Sequence, residues 1–122
     1  EASVKYAKER EQFGQPLGKF QMIQEQIAEM YIEHEAAKLL VYQAASNKDR
    51  GRQGVSEVSV AKYYACESAV KAADMTLKIF GSYGYAMEYP VQRFIRDSRA
   101  FCITEGTSNI QKLIIARNLL NL

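Results

Sequence analysis

Helix-forming residues run almost unbroken through two long stretches, and only Pro16 and Pro90 interrupt the 122-residue chain. From Gln21 to about Lys48, Ile23, Ile27, Met30, His34, Ala37, Val41 and Ala44 recur in alternating steps of four and three. From Ser56 to about Phe80, Val58, Ala61, Ala65, Ser68, Ala72, Met75 and Ile79 recur in a similar way. A half-buried strand needs a period of two; a period of about 3.5 places each set on one face of a helix. The small residues midway along the second set let a neighbouring helix come close. The polar run Asn47–Gly54 (NKDRGRQG) separates the two stretches. Two such helices bury their seams by folding back on each other, which predicts an all-α, antiparallel helix bundle.

The shorter elements follow from breakers and caps. Glu1–Glu11 reads as a short charged helix, and Gln12–Phe20 (QFGQPLGKF), with two glycines and a proline, as a loop. Gly81–Tyr89 (GSYGYAMEY) reads as a second loop. Pro90 suits a first helical turn, where its missing N–H costs nothing, so Pro90 to about Arg99 should be a short helix. Phe101–Gly106 is then a connector. Thr107 or Ser108 caps a last helix to about Asn121, and Ser108 with Gln111 has capping-box spacing. No repeat, low-complexity tract or strong strand signal is present.

Bulk properties exclude several classes. The length holds one domain with a core and not two. A net charge of +2 without a basic run does not suit nucleic acid, and no apolar stretch approaches the roughly 20 residues of a membrane span. Cys66 and Cys102 form no CxxC pair and His34 is the single histidine, so the reading is reduced thiols in a cytosol-like compartment and no structural zinc. The chain opens on Glu1 in what already reads as helix, which marks it as a piece of a longer protein.

The segment Ile103–Gln111 (ITEGTSNIQ) holds the most chemistry. A carboxylate, Glu105, stands just before a glycine and a capped helix. Gly106 lets a ligand approach the backbone, and free N–H groups at a helix start attract anions or polarised oxygens. On spacing alone, a charged residue enjoying the dipole beside a cap is the simpler reading. His34 reads as a satisfied core histidine. Tyr63, Tyr64, Tyr83, Tyr85 and Tyr89 read as packing and loop anchors, and Arg50 and Arg52 as a solvated turn.

The weighting changes with a resemblance. YAKEREQFGQPLGKFQMIQ (Tyr6–Gln24), IFGSYGYAMEYPVQRFIRD (Ile79–Asp97) and ITEGTSNIQKLIIAR (Ile103–Arg117) resemble the C-terminal helical domain of acyl-CoA dehydrogenases, in the family's order and spacing. With the helices between them they cover essentially residues 1–122. The resemblance implies an enzyme whose N-terminal helical and middle β parts lie outside this chain, so the fragment alone should be inactive. It implies α,β-dehydrogenation of an acyl-CoA thioester: a glutamate removes the α proton and FAD accepts the β hydride. The family's EGT motif falls on Glu105, the implied base, with Thr104 and Gly106 beside the substrate.

By the same resemblance, Arg10 reaches the FAD pyrophosphate of a neighbouring subunit, Phe13 packs on the cofactor, and Gln21, Thr107 and Asn109 contact FAD. Lys78 and Gly81 stand where the family holds the adenosine end of FAD. Three positions depart from the pattern: Lys78 replaces a usual Gln, Ser82 a usual second Gly, and Thr104 a frequent aromatic. The implied partners are a second copy of the chain, as dimer or tetramer, and an electron-transfer flavoprotein. The implied setting is cytoplasmic, or the mitochondrial matrix in a eukaryote. An acyl-CoA oxidase of the same fold and a helical interaction module without flavin are the alternatives.

Overall fold

The computed structural model describes residues 1–52 and 54–122. Gln53, in the polar break, lies outside the described residues. The elements are helix α1 (Ala2–Glu9), strands β1 (Glu11–Gln12) and β2 (Gln15–Pro16), a 3-10 turn (Leu17–Lys19), and helices α2 (Gln21–Asp49), α3 (Val55–Phe80), α4 (Ser82–Tyr85), α5 (Val91–Phe101) and α6 (Ser108–Leu120). The all-α reading holds, and both long helices start and stop within a few residues of the sequence expectation.

α2 and α3 are antiparallel. Thr76 meets the Met30 sulfur, Lys71 pairs with Glu29 and Glu33, and the Tyr64 hydroxyl donates to Glu33 at 2.7 Å, so numbers fall along α3 as they rise along α2. α3 is the central rod: α1, α2, α4, α5 and α6 all pack on it. Its buried residues are small or apolar, Ser59, Ala61, Ser68, Ala73, Thr76, Ile79 and Phe80, as close approach from several sides requires. At its C-terminal end Phe80 stacks on Tyr6 of α1 (3.9 Å) and meets Tyr89 edge-on (6.0 Å), tying α1 and the chain before α5 to the rod. Burial raises the pKa of the Tyr6 hydroxyl above its ordinary value.

Four expectations change. Gln12–Phe20 is not plain loop: β1 and β2 form an antiparallel hairpin, Gln12 opposite Gln15, followed by the 3-10 turn. Its tip residues Phe13 (φ 53°) and Gly14 (φ 77°) are both left-handed, the conformation a two-residue hairpin turn needs. Gly81–Tyr89 contains the single turn α4, started at Gly81 with φ 60° and ψ −136°, a backbone only glycine adopts readily. The capping box does not form. Thr107 is the cap, accepting from the Ile110 N–H, while the Ser108 hydroxyl turns to Glu67 and the Gln111 amide to the Gly106 carbonyl.

The fourth change concerns the seams. α2 buries no residue fully, Val41 and Val58 are half exposed, and His34 is exposed rather than a core histidine. α3 has helices on several sides, whereas α2 rests mainly on α3 and the α1 end, so Tyr31, Ile32, Leu39 and Tyr42 stay exposed. No described helix is long and apolar enough to cross a membrane.

Candidate active site

Glu105 occupies the connector between α5 and α6, exposed and with φ 54°. A left-handed glutamate is uncommon, because its Cβ crowds the following carbonyl. Gly106 follows with φ 92°, and a Cβ there would lie 2.6 Å from the Gln111 amide nitrogen. The pair reverses the chain in little space.

The surrounding bonds hold that reversal on both sides. Lys62 of α3 reaches the end of α5, and its ammonium donates to the Phe101 carbonyl (2.9 Å) and the Thr104 carbonyl (3.2 Å). Beyond the turn, the Ser108 N–H donates to the Cys102 carbonyl (3.0 Å) and the Ser108 hydroxyl to Glu67 of α3 (2.6 Å). Buried Gln111 donates to the Gly106 carbonyl at 3.1 Å. Thr104 closes back on the Ala100 carbonyl through both its N–H and its hydroxyl. Among the described residues, the N–H groups of Glu105, Gly106 and Thr107 meet no acceptor, and Glu105 and Asn109 are exposed. Cys102 is buried beneath the turn, and burial raises its thiol pKa above the ordinary value.

The chain therefore gathers Thr104, Glu105, Gly106, Thr107 and Asn109 at one place. It puts the other sequence-derived residues elsewhere. Arg10 caps the end of α1 with its guanidinium over the Tyr83 ring, 5.3 Å from the centroid, beside the turn that Gly81 opens. Phe13 stands at the hairpin tip, 93% exposed and edge-on to Phe20. Gln21 is exposed at the start of α2. Lys78 is engaged by Asp74 one turn back, at 2.6 Å on the surface. Lys62 lies near the Glu105 end of α3 and Phe80 at the Arg10 end, a separation of ~27 Å at 1.5 Å per residue. The sequence-derived residues thus fall into two groups separated along α3.

Linear reading missed Lys62 and Glu67, which frame the Glu105 turn, and gave Gln111 a capping role in place of its bond to the Gly106 carbonyl. Lys62 and Glu67 lie some forty residues from what they hold, and no local spacing signals them. Of the tyrosines, Tyr83 and Tyr89 pack together (5.4 Å) and Tyr63 lies under Lys112, while Tyr85 is largely exposed. An open groove of about 310 Å³ between α2 and α3, lined by His34, Val41, Tyr42 and Ala69 among others, is apolar and does not include the Glu105 turn. No group of three His, Cys, Asp or Glu among the described residues could hold a metal ion.

Comparison with known proteins gives the family. Over 117 residues the chain is 50% identical to a glutaryl-CoA dehydrogenase of Desulfococcus multivorans, covering 95% of this chain and 30% of that protein. It is 49% identical over 118 residues to a 3-(aryl)acrylate reductase of Clostridium sporogenes, covering 97% and 31%. The fold superposes on butyryl-CoA dehydrogenase from Megasphaera elsdenii with a TM-score of 0.96 and 41% identity, over 98% of this chain and 31% of that one. The chain thus spans about three-tenths of the length of the relatives it matches. Residues 1–120 match the family of the acyl-CoA dehydrogenase C-terminal domain, and the chain belongs to that family.

Proposed function

We propose that this chain is the C-terminal part of a flavoenzyme that α,β-dehydrogenates an acyl-CoA thioester, with the Glu105 carboxylate as the acceptor of the α proton. The observation that carries the proposal is Glu105 itself: an exposed carboxylate in a left-handed turn, beside three N–H groups without acceptors, framed by a bonded scaffold. The α C–H of a thioester is a weak acid. It becomes removable when the thioester oxygen accepts hydrogen bonds that strengthen as enolate charge develops. The Glu105 N–H is the donor this chain offers, and the same residue holds the base a few bonds away. Gly106, without a side chain, leaves the approach clear.

The residues present fit FAD in two halves. The Arg10 guanidinium has no carboxylate partner among the described residues and suits a diphosphate. Phe13 and Gln21 lie exposed, and Gly81 has open space where a Cβ would stand. Thr107 and Asn109 stand at the other end, by Glu105. Because one chain keeps these halves apart, each flavin site would draw one half from each of two copies, which makes the enzyme a homodimer or homotetramer. Lys78, already paired with Asp74, is the weakest member of the set. FAD, when bound, supplies the hydride acceptor. An electron-transfer flavoprotein is the proposed electron partner of the dehydrogenase.

A second reading concerns direction. The resemblance to a protein named a reductase favours the reverse reaction as well, in which the Glu105 carboxylic acid returns a proton to the α carbon of an enoyl thioester. The test serves both. In the full-length holoenzyme, Glu105→Gln keeps size and hydrogen bonding and removes the proton acceptor. Flavin and acyl-CoA should still bind, while anaerobic flavin bleaching slows at least ~100-fold. Bleaching at the wild-type rate would place the base elsewhere. Bleaching by acyl-CoA against reoxidation by enoyl-CoA decides the direction.

A further inference from the structure

The Thr104 carbonyl and the Glu105 N–H belong to one peptide group. Lys62 grips that group by its oxygen, at 3.2 Å, and grips the Phe101 carbonyl at 2.9 Å with the same ammonium. A planar peptide held at its oxygen has its N–H aimed the opposite way. A cation on the oxygen also draws charge through the amide and makes the N–H a stronger donor. Lys62 is half-buried on α3, the helix on which the bundle is built, so the grip is anchored to the element that the other helices pack on. Both carbonyls stand at the C-terminal end of α5, where the helix dipole favours a cation.

We propose that Lys62 is a positioning residue for the reaction: its two bonds fix the direction, and raise the donor strength, of the Glu105 N–H that faces the thioester oxygen. The inference rests on the reading of Glu105 as proton acceptor. It goes beyond that reading by assigning the turn's function to a side chain on another helix. Without Lys62 the Thr104–Glu105 peptide can tilt, and the left-handed Glu105, conformationally costly in itself, can relax toward an ordinary backbone. Glu67, which holds Ser108 on the far side of the turn, would then restrain only half of it.

The experiment isolates proton removal from hydride transfer. The probe is an acyl-CoA analogue with sulfur at the β position, which has an α proton but no β hydrogen to lose. Its α-hydrogen exchange in deuterated water, read by mass spectrometry on the full-length holoenzyme, reports the base and the N–H donor alone. Lys62→Met should slow the exchange about tenfold, because weakening a donor to developing oxyanion charge acts mainly on the transition state. Analogue affinity and flavin content should change less than about threefold, since the ground-state thioester leans little on that bond. Lys62→Arg, which keeps charge and donors, should restore most of the rate. Amide hydrogen exchange at Ile103 and Thr104, both bonded to the Ala100 carbonyl, should quicken in Lys62→Met and not in Lys62→Arg. Should Met at position 62 prevent folding, Lys62→Gln, neutral but still a donor, should slow the exchange less than tenfold and more than Lys62→Arg does. Wild-type exchange in Lys62→Met, or an equal loss in Lys62→Arg, overturns the proposal. Glu105→Gln runs in parallel. If it abolishes exchange while Lys62→Met exchanges at the wild-type rate, only the Lys62 assignment fails. If Glu105→Gln exchanges at the wild-type rate, the base reading fails and takes the Lys62 proposal with it.

Discussion

Two turns of this chain share one backbone. At the hairpin tip Phe13 (φ 53°) precedes Gly14 (φ 77°); between α5 and α6 Glu105 (φ 54°) precedes Gly106 (φ 92°). In both, a residue that dislikes the left-handed region stands where Asn or Gly would rest more easily. Their surroundings differ. Nothing lies within 4 Å of a Cβ built on Gly14, and Phe13 is 93% exposed. Around Glu105 and Gly106, Lys62, Glu67, Ser108 and Gln111 bond the chain on both sides. The hairpin tip is held by its two short strands and the edge contact of Phe13 with Phe20, and the Glu105 turn by the bundle. A turn that only reverses the chain needs no frame. One that must present a carboxylate and an N–H in fixed relation does.

The comparison can be broken most directly at the two glycines. Gly106→Ala combines a strained φ with a Cβ pressed to 2.6 Å from the amide nitrogen of buried Gln111, whose bond to the Gly106 carbonyl is displaced. It should cost about 2–4 kcal/mol in unfolding of the intact protein, the strain added to a lost bond. Gly14→Ala meets only the strain and should cost about 1–2 kcal/mol. Equal costs in denaturant titrations would mean the frame around Glu105 carries no constraint.

The residues before the glycines sharpen it further. Glu105→Gly removes the left-handed penalty and should stabilise the folded chain by about 1 kcal/mol while leaving the turn without a base. Phe13→Asn should stabilise the hairpin by less, since its tip can already relax. Both residues are then held against local preference, which is expected of residues that face a ligand or a second copy. Destabilisation by Glu105→Gly would show instead that its side chain contributes to the fold.

The sequence pattern announced the bundle because period and breakers are local: both long helices, the helix after Pro90 and the last helix lie close to where seams, Pro90 and Thr107 put them. The hairpin was hidden because its strands are two residues each and its turn carries Phe rather than the expected Asn or Gly. The exposed faces of α2 were hidden because a seam shows that a face is apolar and not what covers it. Within the site, Glu105 stood out only through the ITEGTSNIQ motif and its resemblance. Lys62 and Glu67 were illegible, since what makes them matter is the crossing of α3 beneath the α5–α6 turn. Ser108 and Gln111 misled through a familiar spacing; Glu67 and the Gly106 carbonyl outcompeted the local cap bonds.

The smallest effect should come from a cluster that serves neither turn. On the seam between α2 and α3, Glu33 accepts from the Tyr64 hydroxyl at 2.7 Å and from Lys71 at 2.9 Å. The Lys71 bond and then the Tyr64 bond hold the Glu33 carboxyl below its ordinary value, and Lys71, bonded to Glu29 and Glu33, is raised above its own. A carboxyl lowered by folding stabilises the fold at pH above its unfolded value near 4.5 and loses that contribution as pH falls through the folded value. Wild type should therefore exceed Glu33→Gln in stability by a constant amount at neutral pH, and the gap should close on acidification below that point. The gap should be much smaller than the loss from Gly106→Ala, because Lys71 is 45% exposed and water screens the pair. Hydrogen exchange at Ile103 and Thr104 should not follow Glu33, since the frame around Glu105 is built from Lys62, Glu67 and Gln111 and shares no group with this cluster. An acid-induced loosening of those two amides that tracks Glu33 would tie the seam to the turn and end the separation drawn between them.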